Sequence, residues 1–211
     1  MNATIEGPDE GPLDPAEALA LAERQQRAVG LSYVRPVLWL YLIWGFAWLV
    51  GFLALWLGYV TDWLPMWTAG AVFVVLIVGS IVASAIVGTR LGRGVQGPSN
   101  FAGAVYGMSW TVFGTAFAVL GVGLMNNGMN GELASLYFPS AYALMAGILY
   151  VLGAALWNEK SQLALGLLLL VVGSAAPFFG APTNNLVMAI GGGGGFLAAA
   201  VYFALQLKKV R

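Results

Sequence analysis

Few residues in this sequence have the types and spacing that chemistry requires. The chain contains no histidine and no cysteine, which excludes imidazole metal sites, histidine pH switches, thiol catalysis and disulfides. Ser109 lies in an isolated "GMSW" with no base in sight, and the apolar segments hold no aspartate for an intramembrane aspartyl protease. Asp62 and Glu132 stand alone in separate loops, where solvated loop ends are a simpler interpretation than a calcium or proton site. We therefore predict no catalytic residue, no metal site, no cofactor and no enzymatic activity.

Five consecutive glycines, at positions 191–195, are embedded in the last apolar segment. No Lys-Ser or Lys-Thr follows them, so they do not form a phosphate-binding loop. A flexible linker is excluded because an unpaired backbone in hydrocarbon costs several kcal/mol per group. Two interpretations remain: a helix packed against a neighbour, which we favour, or a helix unwound around a ligand. At about 100° per residue, Gly191, Gly195 and Ala199 share one face. We predict that this face contacts another helix, and that Gly193, on the opposite side, tolerates a larger side chain if that side meets lipid.

Small residues also recur at four-residue spacing in two other apolar segments. This spacing aligns them on one helix face, and it lets two backbones approach where no hydrophobic force drives helices together. The predicted packing residues are Ser80, Ser84 and Gly88 in one segment, and Gly103 and Gly107 in the next.

The elements that carry these residues are long apolar segments. The chain is 60% hydrophobic and 9% charged, with a mean hydropathy of +0.82, whereas roughly a quarter of the residues in a soluble domain are charged. Since about 20 apolar residues cross a bilayer, the sequence predicts six spans, and no span contains a charged residue. They cover residues 36–60, 67–88, 101–125, 133–157, 163–179 and 186–207. The predicted fold class is all-α: a polytopic transmembrane bundle of six helices with a short amphipathic cytoplasmic helix before it.

Lysine and arginine residues all fall on one side of this six-span arrangement. They lie in the N-terminal segment, in the loops after the second and fourth spans, and at the C-terminus. Because such residues favour the cytoplasmic side, we predict a multi-pass inner-membrane protein with both termini in the cytoplasm. The net charge is zero, which gives no argument for nucleic acid as a partner. The residues predicted to anchor the chain at anionic lipid headgroups are Arg35, Arg90, Arg93, Lys208 and Lys209.

An N-terminal arm, residues 1–35, precedes the first span. The first apolar run begins only after Arg35, which is not the pattern of a cleavable signal peptide. Residues 1–12 are acidic and rich in glycine and proline, which predicts disorder. Asp14 as N-cap, Pro15, Glu17 and Gly30 as the stop predict a helix over 15–29. We expect it to lie against the bilayer or the end of the bundle; the alternative is a docking helix for a cytoplasmic partner.

The arm and the first hairpin resemble a known group of sequences. "LDPAEALALAERQQ", followed by "WGFAWLVGFLALWL", is similar to uncharacterised six-span integral membrane proteins of high-GC actinomycetes, and this resemblance implies no activity for any residue. Permease subunits of ABC exporters resemble the chain in the amphipathic helix before the first span, but their extracellular insertion before the last span is missing here. Substrate-binding subunits of energy-coupling-factor importers resemble it in size and span number, but their long first loop is missing.

These observations favour a non-enzymatic integral membrane protein that acts as a helper or regulatory subunit. Its expected partners are the lipid bilayer and either a second copy of the chain or another membrane protein. The alternative is a small-solute transporter or a permease subunit. Proton-driven antiport is disfavoured, because the spans hold no ionisable relay residue of the acidic or basic kind. The sequence names neither a ligand nor a partner.

Overall fold

The polypeptide is helical almost throughout, as expected where a backbone must satisfy its own hydrogen bonds in hydrocarbon. The structure, a computed structural model, describes residues 14–91 and 98–209; for 22–34, 91, 98–100 and 207–209 it describes only the backbone. The helices are α1 (Pro15–Val60), α2 (Met66–Leu91), α3 (Pro98–Asn126), α4 (Gly131–Trp157), α5 (Lys160–Ala175), α6 (Thr183–Val187) and α7 (Gly194–Lys209). A 3₁₀ turn (Ala176–Phe179) follows α5, and a π-helical segment (Met188–Gly193) joins α6 to α7.

Six helical segments are long and apolar enough to cross a membrane. They cover Arg35–Val60, Met66–Arg90, Phe101–Asn126, Gly131–Trp157, Lys160–Phe179 and Thr183–Gln206. The predicted all-α class is confirmed, and the chain has the architecture of an integral membrane protein. Consecutive spans run antiparallel, so Arg35, Arg90 and Lys160 lie at one end of the bundle, which we call the basic end. Asp62 and Glu132 lie at the other, which we call the opposite end.

The first helix is longer than the sequence predicts. Asp14 caps α1 as expected, accepting a hydrogen bond from the amide of Ala16. The predicted stop at Gly30 is wrong, because α1 runs on through Pro36 to Val60 as one helix of 46 residues. Favourable backbone bonding on either side outweighs the weak helix propensity of one glycine. Residues 15–21 are all exposed, so this part of the arm does not lie against the end of the bundle, and its contact with the bilayer stays a prediction. Residues 1–12, predicted to be disordered, lie outside the described residues.

The spans pack in an order that differs from their order in the chain. Following the closely packed pairs, the helices form an open arc: α2, α1, α7, α5, α4, α3. The ends of this arc, α2 and α3, are consecutive in sequence, yet among the described residues each packs closely on a single neighbour. Only 6% of the most apolar part of either is buried, against 33–50% for the other spans. We therefore distinguish four inner spans, formed by α1, α4, α5 and α6–α7, from two outer helices, α2 and α3.

Aromatic rings fill the centre of the inner spans. The ring of Trp48 on α1 meets that of Phe196 on α7 edge-on, with centroids 5.6 Å apart. Tyr41 lies between Phe203, at 5.3 Å, and Tyr150 on α4, at 6.1 Å. Such pairs add stabilisation beyond the apolar area that they bury. These contacts hold α1 against α7 and α4 and so set the relative positions of the inner helices.

Candidate functional site in the sixth span and at the helix ends

The hydrogen-bonding pattern of the sixth span changes at Met188, three residues before the glycine run. After the five-residue helix α6, the backbone takes up π-helical bonding over Met188–Gly193 and returns to α-helix at Gly194. A π-helix closes i→i+5 bonds and appears mostly as a single turn, often at functional sites. The five-glycine run is therefore helical throughout, in two different helical forms.

Two glycines of the run meet α1. A Cβ built on Gly192 would collide with the ring of Trp48, and one built on Gly193 would lie 2.5 Å from the backbone nitrogen of Leu49. Gly193 therefore packs against α1 and does not meet lipid, which was the condition for it to tolerate a larger side chain. The i→i+5 bonding adds a residue to the turn, so faces assigned at about 100° per residue no longer apply.

The other glycines divide between α5 and open space. A Cβ on Gly191 would lie 2.7 Å from Val172 Cγ2, and one on Gly195 would lie 2.5 Å from Leu168 Cδ2. Gly194 has no atom within 4 Å of the corresponding position. Ala199, the third residue of the predicted face, is partly buried against the aromatic core. The run is thus a packed helix wedged between α1 and α5.

Ser80 and Ser84 on α2 face α1. Ser80 is buried and donates a hydrogen bond to the carbonyl of Leu76, 2.8 Å away. The indole Nε1 of Trp44 on α1 donates to Ser84 Oγ at 2.9 Å. This bond joins two spans directly in a region where water is absent.

The remaining small residues of the prediction pack against no other described part of the chain. Gly88 on α2, and Gly103 and Gly107 on α3, have no described atom within 4 Å of a Cβ position. The four-residue spacing is real, but α2 and α3 each have one close neighbour, and these positions point away from it. Further along α3, Gly114 and Gly121 do meet α4.

The residues predicted to anchor lipid headgroups are only partly described. Arg35 and Arg90 are both exposed at the basic end. Arg93 lies outside the described residues, and only the backbone of Lys208 and Lys209 is described. Exposure at the end of a span is compatible with headgroup contact.

Two adjacent asparagines are buried at the opposite end, where the sequence suggested a plain loop. Asn184 is fully buried in α6, and its Nδ2 donates to the carbonyl of Ser135 at 2.8 Å. Its Oδ1 has no hydrogen-bond partner in the described part of the chain, and Asn185 is also buried. A buried amide that is only half satisfied is costly, so this feature calls for a reason. The Asn-Asn pair directly before an apolar run was the available signal.

A second buried polar group lies at the basic end. The hydroxyl of Tyr41 and the Oε1 of Gln162, at the start of α5, are buried and have no hydrogen-bond partner among the described residues. Sequence reasoning missed both because it searched the spans for charged side chains and for small residues. Neither an aromatic residue in a first span nor a glutamine beside a turn stands out by type.

The described residues contain no group of three or more acidic, histidine or cysteine side chains arranged to hold a metal ion. A comparison with protein-family models, with curated proteins and with solved structures finds no match for the chain. The proposals for function below therefore rest on the geometry of the molecule itself.

Proposed function

We propose that the protein is a non-enzymatic subunit of a membrane complex, and that the exposed small-residue face of α3 holds another transmembrane helix. This face consists of Gly103, Gly107, Thr111 and Thr115, spaced four residues apart. No described atom lies near the Cβ positions of the two glycines, and both threonines are exposed. Because lipid tails are as apolar as leucine, helices associate in membranes where small residues allow close backbone approach.

The rest of the molecule supports this role for α3. The glycines of the inner spans are nearly all in close contact with a neighbouring helix, as at Gly147 and Gly166. Within the described part of the chain, this face of α3 is the longest small-residue face that packs against no neighbouring helix. A partner helix seated there would also cover one end of the open arc.

The test uses single cysteines, since the chain has none of its own. Thr111→Cys places a thiol on the proposed face, and Ala116→Cys is the control. Ala116 is equally exposed and lies about 140° around the same helix. A short crosslinker with one thiol-reactive and one photoreactive end, used in native membranes, should trap Thr111→Cys in a larger species and leave Ala116→Cys as the monomer. A product of twice the chain mass identifies a second copy, and any other mass identifies a different partner. Equal crosslinking of both variants, or of neither, would contradict the proposal.

The proposed orientation places the basic end in the cytoplasm. In intact cells, an impermeant thiol reagent should label Glu132→Cys and not Arg90→Cys. Labelling of Arg90→Cys from outside would reverse this topology.

A transporter or permease subunit is the second candidate, and the interrupted sixth span favours it. Discontinuous helices commonly mark substrate sites in transporters, and here the change to π-helical bonding begins at Met188, shortly after the buried Asn184 and Asn185. The two functions differ in water access. Asn185→Cys should react slowly with a small thiol reagent if the region is simply packed, and fast if a water-filled path leads to it.

A further inference from the structure

The loop between α3 and α4 holds two asparagines that are each followed by a glycine. The pairs are Asn127 with Gly128 and Asn130 with Gly131. The third span ends at Asn126 and the fourth begins at Gly131, so the loop lies at the opposite end, between two spans, and both asparagines are exposed. Asparagine before glycine is prone to a reaction that needs only water, because glycine has no side chain to shield its backbone nitrogen. The two pairs share this chemistry and differ in their surroundings.

The reaction is deamidation through a cyclic imide. The backbone nitrogen of the glycine loses its proton and attacks the Cγ of the asparagine, which forms a tetrahedral oxyanion. Collapse of this oxyanion breaks the Cγ–Nδ2 bond and releases ammonia, which takes up the proton. Water then opens the imide at either carbonyl and leaves aspartate or isoaspartate. Atoms and charge balance without an oxidant, a reductant or another protein.

Asn127 has its reacting atoms engaged. Gly128, with a φ of 101°, donates its backbone amide to the carbonyl of Met125 at 3.2 Å. This bond is typical of a glycine that closes a helix C-terminus. The Nδ2 of Asn127 donates to the carbonyl of Gly123 at 2.8 Å. The nucleophile and the leaving group of this pair are therefore both held by the last turn of α3.

Asn130 has a free nucleophile and a polarised carbonyl. Gly131 is the first residue of α4, so its amide has no partner within the helix. Asn130 is the N-cap, and its Oδ1 accepts a hydrogen bond from the amide of Leu133 at 2.8 Å. Its Nδ2, the leaving group, takes no part in this bond. The Leu133 amide also stabilises the charge that develops on Oδ1, as the donors of an oxyanion hole do.

The two helix ends have opposite electrostatic effects on this reaction. Its intermediates are negatively charged until ammonia leaves. A helix carries partial positive charge at its N-terminus and partial negative charge at its C-terminus. The intermediate of Asn130 forms at the N-terminus of α4, whereas that of Asn127 forms at the C-terminus of α3. The helix dipoles therefore favour reaction at Asn130 and oppose it at Asn127.

From this geometry we propose that Asn130 is a site of self-modification, which deamidates in the folded protein while Asn127 is protected. Aspartate at this position adds a negative charge and still caps α4. Isoaspartate places its side-chain methylene in the backbone, which displaces the capping oxygen and frays the first turn of α4. That turn leads to Ser135, whose carbonyl accepts the hydrogen bond from the buried Asn184. The conversion thus loosens a contact between α4 and the sixth span.

The test follows the full chain in phosphatidylcholine nanodiscs as it ages at mildly alkaline pH. Mass spectrometry of its digest measures the replacement of the amide by a carboxyl group at each asparagine. We expect Asn130 to convert about tenfold faster than Asn127, since each helix end changes the rate a few-fold and in opposite directions. A peptide of residues 124–134 is the reference, because it is too short to form a stable helix in water. Its two asparagines should convert at similar rates.

Gly131→Ala is the matched variant. No described atom lies within 4 Å of a Cβ at this position, so the fold should be kept while the methyl group shields the nucleophile. Conversion at Asn130 should nearly stop, and conversion at Asn127 should stay unchanged. Conversion at Asn127 that equals or exceeds that at Asn130, no conversion at Asn130, or conversion there that Gly131→Ala leaves unchanged would overturn the proposal.

Hydrogen exchange separates the two products. Asn130→Asp has the added charge and an intact cap, so the backbone amides in the first turn of α4 should exchange as slowly as in the fresh protein. In the aged protein, whose products include isoaspartate, the same amides should exchange faster. Equal exchange in the fresh and the aged protein would show that the modification does not loosen α4.

Discussion

The glycines of the inner spans and those of the outer helix α2 have opposite surroundings. On the inner spans, a Cβ on Gly45 would lie 2.8 Å from Leu197, and one on Gly147 would lie 2.9 Å from the carbonyl oxygen of Gly166. On α2, none of the three glycines has a described atom within 4 Å: Gly70, Gly79 and Gly88. The same residue type therefore serves close helix contact in the inner spans and meets no described neighbour on α2.

This contrast between the two sets of glycines shows what holds the bundle together. Between helices in lipid there is no hydrophobic driving force, so the inner spans depend on backbone approach and dispersion contacts that only small residues permit. The outer helices are held on one side each and leave the rest of their surface to lipid or to a partner. Substitutions that add one methyl group can measure this contrast position by position.

The largest effect is expected at Gly193. Gly193→Ala places its Cβ against the Leu49 backbone, which cannot move aside as a side chain can. We expect a loss of stability at or beyond the roughly 1–3 kcal/mol typical of overpacking, seen as a lower melting temperature or loss of monodisperse protein. Gly194→Ala, one residue along, meets open space and should be neutral or slightly stabilising. Equal tolerance of both variants would show that the sixth span does not press on α1.

A somewhat smaller effect is expected where α4 and α5 touch. Gly166→Ala would bring its Cβ to 2.9 Å from the carbonyl oxygen of Gly147, and we expect a loss of about 1–3 kcal/mol. Gly79→Ala on α2 should change stability by no more than about 1 kcal/mol, in the stabilising direction. If thermal unfolding ranked Gly79→Ala as the more damaging, the division into inner and outer helices would fail.

One outer helix contains both environments, which sharpens the comparison. On α3, a Cβ on Gly121 would lie 2.5 Å from the ring of Phe138, whereas Gly123 meets nothing within 4 Å. Because an aromatic side chain can shift more easily than a backbone, we expect Gly121→Ala to cost about 1 kcal/mol, at the low end of overpacking. Gly123→Ala is the control at nearly the same depth. Identical melting temperatures for the two would mean that α3 is loosely attached along its whole length.

The smallest effect concerns the bond between Trp44 and Ser84. Trp44→Phe and Ser84→Ala should each cost about 0.5–1.5 kcal/mol, the usual net value of one hydrogen bond. The double variant should cost little more than either single one, because both remove the same interaction. Fully additive losses would indicate that packing, and not this bond, attaches α2.

The spans could be predicted from sequence because their signal is local. Apolar length alone defines a crossing helix, as the run that ends at Val60 shows. Which side of a helix contacts a neighbour was harder to predict. For Gly193, the assumed α-helical period does not apply to a π-helical segment. For Gly107, the four-residue spacing predicts a shared face but does not show whether another helix covers it.

The buried polar groups could not be predicted from the sequence for a different reason. Tyr106, Gly153 and Gln162 come from three helices, and nothing in any one segment shows that they meet. The order of helices in the arc decides this, and sequence gave no rule for it, since α2 and α3 follow each other in the chain and separate in space. Spatial convergence of ordinary residues is invisible until the packing is known.

Because α1 is one continuous helix, a small tilt near its middle moves its N-terminal end over a larger distance. At about 1.5 Å per residue, its 46 residues span roughly 69 Å, of which about 30 Å precede Arg35. With no break along its length, a tilt of roughly 10° at Trp48 would displace Pro15, about 50 Å away along the helix, by roughly 9 Å. The fulcrum is the Leu49–Gly193 contact, next to the only π-helical turn in the described chain. A partner that binds the N-terminal part of α1 and tilts it would therefore press on the sixth span. In the other direction, a small shift of the sixth span would produce a larger movement of the N-terminal end of α1.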